Sequence, residues 1–208
     1  MLFLLNRKRR GCKNPNHPSK GSAIKVEPIR DKQAIQNIKQ LLGSQLRDLL
    51  LFTMGINTAF RANELLSLKV GQVRGLEAGS SFEIKLSKTK TYRRVTINAV
   101  VVETVARYLA QRNPDDNEWL FKSGRKDEPL QVSTVSRYVK KWCSATGLRG
   151  NYASHTLRKT WGFMQRTQNK TPIPLLMVAY GHSTQRQTLS YLCIQHEEIA
   201  GIYMNLLL

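Results

Sequence analysis

The sequence predicts a mainly α-helical domain with one small antiparallel β-sheet, an α+β fold. Two observations predict it: apolar residues recur at helical spacing along most of the chain, and one stretch near the middle alternates with period two. Length bounds the answer. In 208 residues, 41% of them apolar and without an internal repeat, there is room for one well-packed domain.

Residues 1–22 are rich in Lys, Arg, Asn, Pro, Gly and Ser and show no apolar period, which predicts a flexible basic arm or linker; the folded domain is expected over residues 23–208. Asp31 has the chemistry of an N-cap, and Ile35, Ile38, Leu41 and Leu42 follow at helical spacing until Gly43-Ser44 breaks the run. The next helix, from about Gln45 to Asn57, is apolar on most sides through Leu46, Leu49, Leu50 and Phe52, the mark of a central buried helix. A shorter third helix is expected from Arg61 to about Lys69. Phe82 to Leu86 and Arg94 to Asn98 then alternate around a polar turn and predict a hairpin. Helical spacing returns in Val101, Val105, Tyr108 and Leu109, and again in Val132, Val135, Val139 and Trp142. Between them, Asn113 to Pro129 reads as a polar loop anchored by Trp119-Leu120-Phe121. Beyond Gly147 to Asn151 the chain reads as short helical pieces, punctuated by Pro172, Pro174 and Gly181.

Charge points to a polyanionic partner. The 33 Lys and Arg against 14 Asp and Glu leave a formal charge of +19, far more than solubility needs, and nucleic acid is the leading candidate. Arg7, Lys8, Arg9 and Arg10 in the arm, with Arg93 and Arg94 beside the hairpin, are candidate phosphate contacts, and none shows sequence readout. Cys12, Cys143 and Cys193 are too few and too scattered for a disulfide framework or a CxxC zinc site, which suits a reducing cytoplasm. Cys12 and His17 lack a second ligand pair, so neither a metal nor another cofactor is expected. The apolar opening Leu2 to Leu5 is cut off by Asn6 and Arg7, too short for a signal segment or a membrane span.

His155 and Arg158 sit at i and i+3 of a predicted helix, side by side on one face, where both can touch one phosphate. Taken alone, this pattern is a weak signal and more often describes two solvated polar residues. Tyr180-Gly181-His182-Ser183 follows, with Tyr191 nine residues past that histidine, and Arg61-Ala62-Asn63-Glu64 lies upstream.

In this order the residues resemble the tyrosine recombinases, or phage-type integrases, whose catalytic domains carry an arginine motif, a mobile lysine, HxxR, a GH pair and a tyrosine. Ser87-Lys88-Thr89-Lys90, at the predicted hairpin turn, resembles the lysine loop, and Ala59 stands where the arginine motif usually has glycine. The resemblance spans residues 55 to 195. It implies the catalytic-domain fold of DNA breaking-rejoining enzymes and strand cleavage through a 3′-phosphotyrosine, without a metal. Tyr191 would be the nucleophile, His155 its base, and Arg61 and Arg158 the clamp on the phosphate oxygens. Guanidiniums suit that task because they are planar, bidentate and always charged. Lys88, or Lys90 in another hairpin register, would protonate the leaving 5′-oxygen; His182 would bond a non-bridging oxygen; Glu64 would orient Arg61. Plainer readings remain for each: an Arg61–Glu64 salt bridge, surface lysines, a half-buried core tyrosine. Tyr203, poorly spaced as a nucleophile, is read as a packing residue.

The implied partner is double-stranded DNA, and the implied assembly is a tetramer on paired DNA sites, with a monomer in free solution. The apolar tail over residues 195–208 would dock on a neighbouring protomer or pack at home. Most such enzymes carry a separate core-binding domain ahead of the catalytic one, for which this length leaves no room. A catalytically silent DNA-binding regulator of the same fold, or a type IB topoisomerase-like activity, are the alternatives.

Overall fold

The computed structural model describes residues 26–85, 92–124, 127–194 and 196–205, the side chains of Lys85, His196 and Glu197 excepted. Helix α1 (Lys32–Leu41) starts where the Asp31 carboxylate accepts the backbone N–H groups of Gln33 and Ala34, two donors the helix itself leaves unpaired. Helix α2 (Leu46–Asn57) is buried continuously from Asp48 to Gly55, as a helix apolar on most sides must be. It packs against α4 (Ala99–Arg112) and α6 (Ser154–Thr167). The approach to α6 is close enough that a Cβ on Gly55 would lie 2.6 Å from Leu157 Cδ1, so only glycine fits there. Helix α5 (Val132–Ala145) closes the core, with Trp142 edge-on to Phe52 at 6.0 Å between ring centroids.

Helix α3 (Ala62–Leu66) is shorter than the sequence suggests. Arg61 stands outside it as the N-cap residue, because the Glu64 carboxylate reaches back to the Arg61 N–H at 2.7 Å; beyond Leu66 the chain tightens into a 3-10 turn over Val70–Gln72. Strands β1 (Ser81–Lys85) and β2 (Tyr92–Thr96) pair antiparallel, with Ile84 opposite Arg93 and Phe82 opposite Val95. Both lie one or two residues earlier than expected. The second strand stops short because the Asn98 side chain accepts the Val101 N–H and opens α4. In the loop over 113–129, Leu120 and Phe121 are fully buried, and the Lys69 ammonium sits 3.3 Å from the Trp119 ring centroid.

Helix α6 runs fourteen residues, longer than the short pieces expected of this region. Helix α7 (Ile173–Tyr180) follows Pro172, takes Pro174 into its first turn, and ends on Gly181 at φ +62°. Helix α8 (Gln185–Leu192) begins at Thr184, whose hydroxyl accepts the Gln187 N–H. The last described helix, α9 (His196–Met204), leaves Ile202, Tyr203 and Met204 exposed. Tyr203, read from the sequence as a packing residue, is 78% exposed. Among the described residues no helix is long and apolar enough to cross a membrane. Beside the main core, Ala59, Leu176, Tyr180 and Leu192 form a second apolar cluster with Trp161, Ile173 and Tyr191 packed on it.

Candidate active site

The second cluster is the floor of a polar site. At its edge the chain turns through Ala59, held at φ +55°, so that the Ala59 carbonyl faces inward. A left-handed backbone costs an alanine about 1–2 kcal/mol, which is why glycine is the usual residue at this point of the motif. Burial of the Ala59 methyl against Leu176 and Tyr180 offsets part of that cost. Two residues on, the Arg61 guanidinium bonds Glu64 Oε1 at 2.6 Å. Glu64 is buried, whereas the Arg61 side chain remains about one-third open.

Arg158 rises from α6 beneath this turn and is 1% exposed. One terminal nitrogen donates to the Ala59 carbonyl and the other to the Tyr180 carbonyl at 2.5 Å, while Nε is buried without a partner. Burial first, then the charges of Arg61 and Arg93, lower the Arg158 pKa to about 10, which still leaves it charged at neutral pH. His155, one turn earlier on the same face, meets Tyr191 of α8: the phenolic oxygen lies 3.0 Å from His155 Nδ1. Burial, Arg158, Lys159 and Arg61 hold the His155 pKa below its usual value. The imidazole is therefore neutral at pH 7, and with its proton on Nε2 the Tyr191 hydroxyl donates to Nδ1. Cations surround the phenol as well, with Arg158 Cζ 5.7 Å and Lys159 Nζ 5.4 Å from its ring centroid.

His182 lies on the other side of Tyr191, 5.0 Å between ring centroids, and stacks on Tyr180 at 4.8 Å and 14°. Its Nδ1 is 3.0 Å from the Thr188 hydroxyl, which fixes the ring plane. Tyr180 is fully buried and donates its hydroxyl to the Arg158 carbonyl at 3.1 Å. Gly162 makes room for that hydroxyl, which would lie 1.7 Å from an added Cβ. Burial, followed by Arg158, Arg61 and Arg93, lowers the His182 pKa to about 4. An unfolded histidine titrates near 6.5. Between these values the unfolded chain takes up a proton that the folded chain refuses, so the contribution of neutral His182 is whole above about pH 6.5 and is lost as pH falls through about 4. The depressed pKa of His155 acts with the same sign. The urea midpoint is expected to drop between pH 7.5 and pH 5, and to drop less in His182→Asn; equal pH dependence in the two proteins would contradict this.

Arg61, Glu64, His155, Arg158, His182 and Tyr191 thus converge on one face. Lys88 and Lys90, and the arm residues Arg7, Lys8, Arg9 and Arg10, lie outside the described residues. Arg94 points outward from β2, but Arg93 does not belong with it on the surface. Arg93 is 7% exposed and bonds Glu64 Oε2 at 2.9 Å, which corrects its assignment as a DNA-facing residue. The reason is strand phase: Arg93 shares the inward side of β2 with Val95. That phase was present in the sequence, where residue 93 precedes the apolar Val95 and Ile97 by two and four. Tyr180, Thr188 and Lys159 also belong to the site, and motif spacing alone singles out none of them. A cavity of about 650 Å³ lies elsewhere, between Gln45–Asp48, Tyr108, Arg112 and Lys122–Gly124. None of the converged residues lines that cavity.

Solved structures with a similar fold include two recombinases. XerA recombinase superposes with a TM-score of 0.70 at 21% identity, over 94% of this chain and 68% of its own. XerH site-specific recombinase, in a post-cleavage complex with its palindromic difH substrate, superposes with a TM-score of 0.69 at 24% identity, over 89% of this chain and 55% of its own. In sequence, the Bacillus subtilis (strain 168) protein named Probable integrase/recombinase YoeC is 33% identical over 181 residues, 86% of this chain and 95% of its own length. Residues 29–198 match the Phage integrase family, and the chain belongs to that family of tyrosine recombinases.

Proposed function

We propose that the protein cleaves and rejoins double-stranded DNA at specific sites through a phosphotyrosine link to Tyr191. The observation that carries this is the 3.0 Å contact between the Tyr191 hydroxyl and His155 Nδ1, set beside the partly open Arg61 and the buried Arg93 and Arg158. A free phenol with a pKa near 10 is a poor nucleophile at pH 7. Here His155 accepts the proton as the phenolic oxygen attacks phosphorus. The P–O5′ bond breaks, the 5′-oxygen takes a proton from Lys88 or Lys90, and the 3′-phosphate stays on Tyr191. Because one phosphoester replaces another, a second 5′-hydroxyl reverses the step and reseals DNA. Arg61 and Arg158 neutralise the charge that builds on the non-bridging oxygens, Glu64 holds Arg61, and His182 gives its Nε2 to the same phosphate.

Exposed Arg94, together with the charges of Arg7, Lys8, Arg9 and Arg10, supplies salt-sensitive affinity for the duplex. The exposed apolar face of α9, which the Arg166–Glu198 ion pair ties to α6, docks on a neighbouring protomer in a tetramer formed on paired DNA sites. The reaction takes place in the cytoplasm, at the nucleoid. A duplex carrying the protein's own recombination site, nicked beside the scissile phosphate so that the 5′ fragment diffuses away, is expected to trap a covalent adduct equally with and without EDTA. Complete loss of the adduct on chelation would overturn the mechanism.

A further inference from the structure

We infer that Arg93 is a positioning residue for strand cleavage, one that never touches DNA but locks Arg61 and the buried Arg158 in register beneath the scissile phosphate; this rests on the recombinase reading above. Its connections single it out. One terminal nitrogen bonds Glu64 Oε2 at 2.9 Å, and the other Glu64 oxygen holds Arg61. The second terminal nitrogen donates to the Ala59 carbonyl at 3.2 Å, the acceptor that Arg158 also uses, and to the Ala179 carbonyl at 2.6 Å. Ala179 immediately precedes Tyr180, whose carbonyl takes the other end of Arg158 and whose ring supports His182. Arg93 therefore joins the turn before α3, the end of the sheet where β1 leads to β2, and the C-terminal end of α7, and the first and last of these segments carry groups of the site.

Packing alone does not account for such a residue. Ile84, paired with it across the sheet, and Val95, its inward neighbour on β2, are apolar, and an apolar side chain at 93 would fill the same space without burying a charge. Three guanidiniums, Arg61, Arg93 and Arg158, instead share one buried carboxylate. Replacing buried ionic groups by apolar ones of similar size is often neutral or stabilising, so a third cation here works against stability unless its geometry is needed. What the geometry provides is register: Arg93 fixes Glu64 against Ala59, and with them the spacing between Arg61 and Arg158.

The test uses Arg93→Lys, which keeps the charge but not the fork, and Arg93→Met, which keeps the bulk and removes a buried charge. Single-turnover cleavage of the nicked recombination site at saturating protein is expected to slow by about 100-fold in either variant, as a displacement of about 1 Å at a reacting centre can do. DNA affinity should stay within about threefold, since a buried side chain supplies no counterion release. A second substrate with a methylphosphonate at the scissile position lacks one of the charges that Arg61 and Arg158 neutralise. On it the deficit of each variant relative to the parent protein should shrink at least about tenfold. Equal deficits on both substrates would mean a purely structural role and would overturn the inference. So would undiminished cleavage, or weakened binding with normal cleavage at saturation. If the parent protein itself forms no adduct, the recombinase reading falls and not this one alone.

Discussion

Replacement of Tyr191 by phenylalanine is expected to abolish the covalent protein–DNA adduct while leaving the affinity for DNA intact. The variant loses one oxygen and keeps the ring, which touches His155, His182 and Tyr180 at 6.1, 5.0 and 5.5 Å between centroids. The lost hydroxyl made one hydrogen bond, to His155, on a partly exposed helix end, so stability should change by no more than about 1 kcal/mol. The chemical effect is of another order, because removing a nucleophile from a set that acts as a unit costs at least about 10⁴-fold in rate. Denaturing gels of the trapped complex measure the first effect and equilibrium binding the second. An adduct that survives in Tyr191→Phe would displace the assignment, and peptide mapping would then be directed first at Tyr203, exposed on α9.

The largest effect on stability should come from Glu64→Gln. Glu64 is buried and its two oxygens hold Arg61 and Arg93, with Arg158 3.9 Å away. The amide keeps the shape and leaves three guanidiniums without a counter-charge. Loss of one partner from a buried ionic group costs about 3–5 kcal/mol, a large part of the 5–15 kcal/mol typical of a domain. Urea unfolding should show that drop, and sulfate, able to occupy the cationic site, should restore part of it. A loss below about 1 kcal/mol would mean that water already screens the cluster.

Much of this was legible in the sequence because it is carried by local periodicity. The central helix announced itself by being apolar on most sides, Asp31 by its position ahead of an apolar run, and the His155–Arg158 pair by the helical repeat that puts both on one face. What periodicity does not encode is the partner of a long side chain. Arg93 looked like half of a surface basic pair because Arg94 stands beside it, yet neighbours on a strand point to opposite sides, and a carboxylate 29 residues upstream draws Arg93 inward. Burial of Arg158 was illegible for a similar reason: its acceptors are backbone carbonyls at Ala59 and Tyr180, which no residue type advertises. Tyr203 erred the other way. An apolar spacing in α9 signals that something will cover it, and does not say that the cover belongs to the same chain.

The contact between Tyr191 and His155 lies within one polypeptide, and it precedes residue 195, where the tail begins. Handing that tail to a neighbour therefore leaves Tyr191 and His155 on one chain. On the mechanism proposed above, a copy that lacks the Tyr191 hydroxyl is expected to leave the strand it faces uncut even beside intact copies.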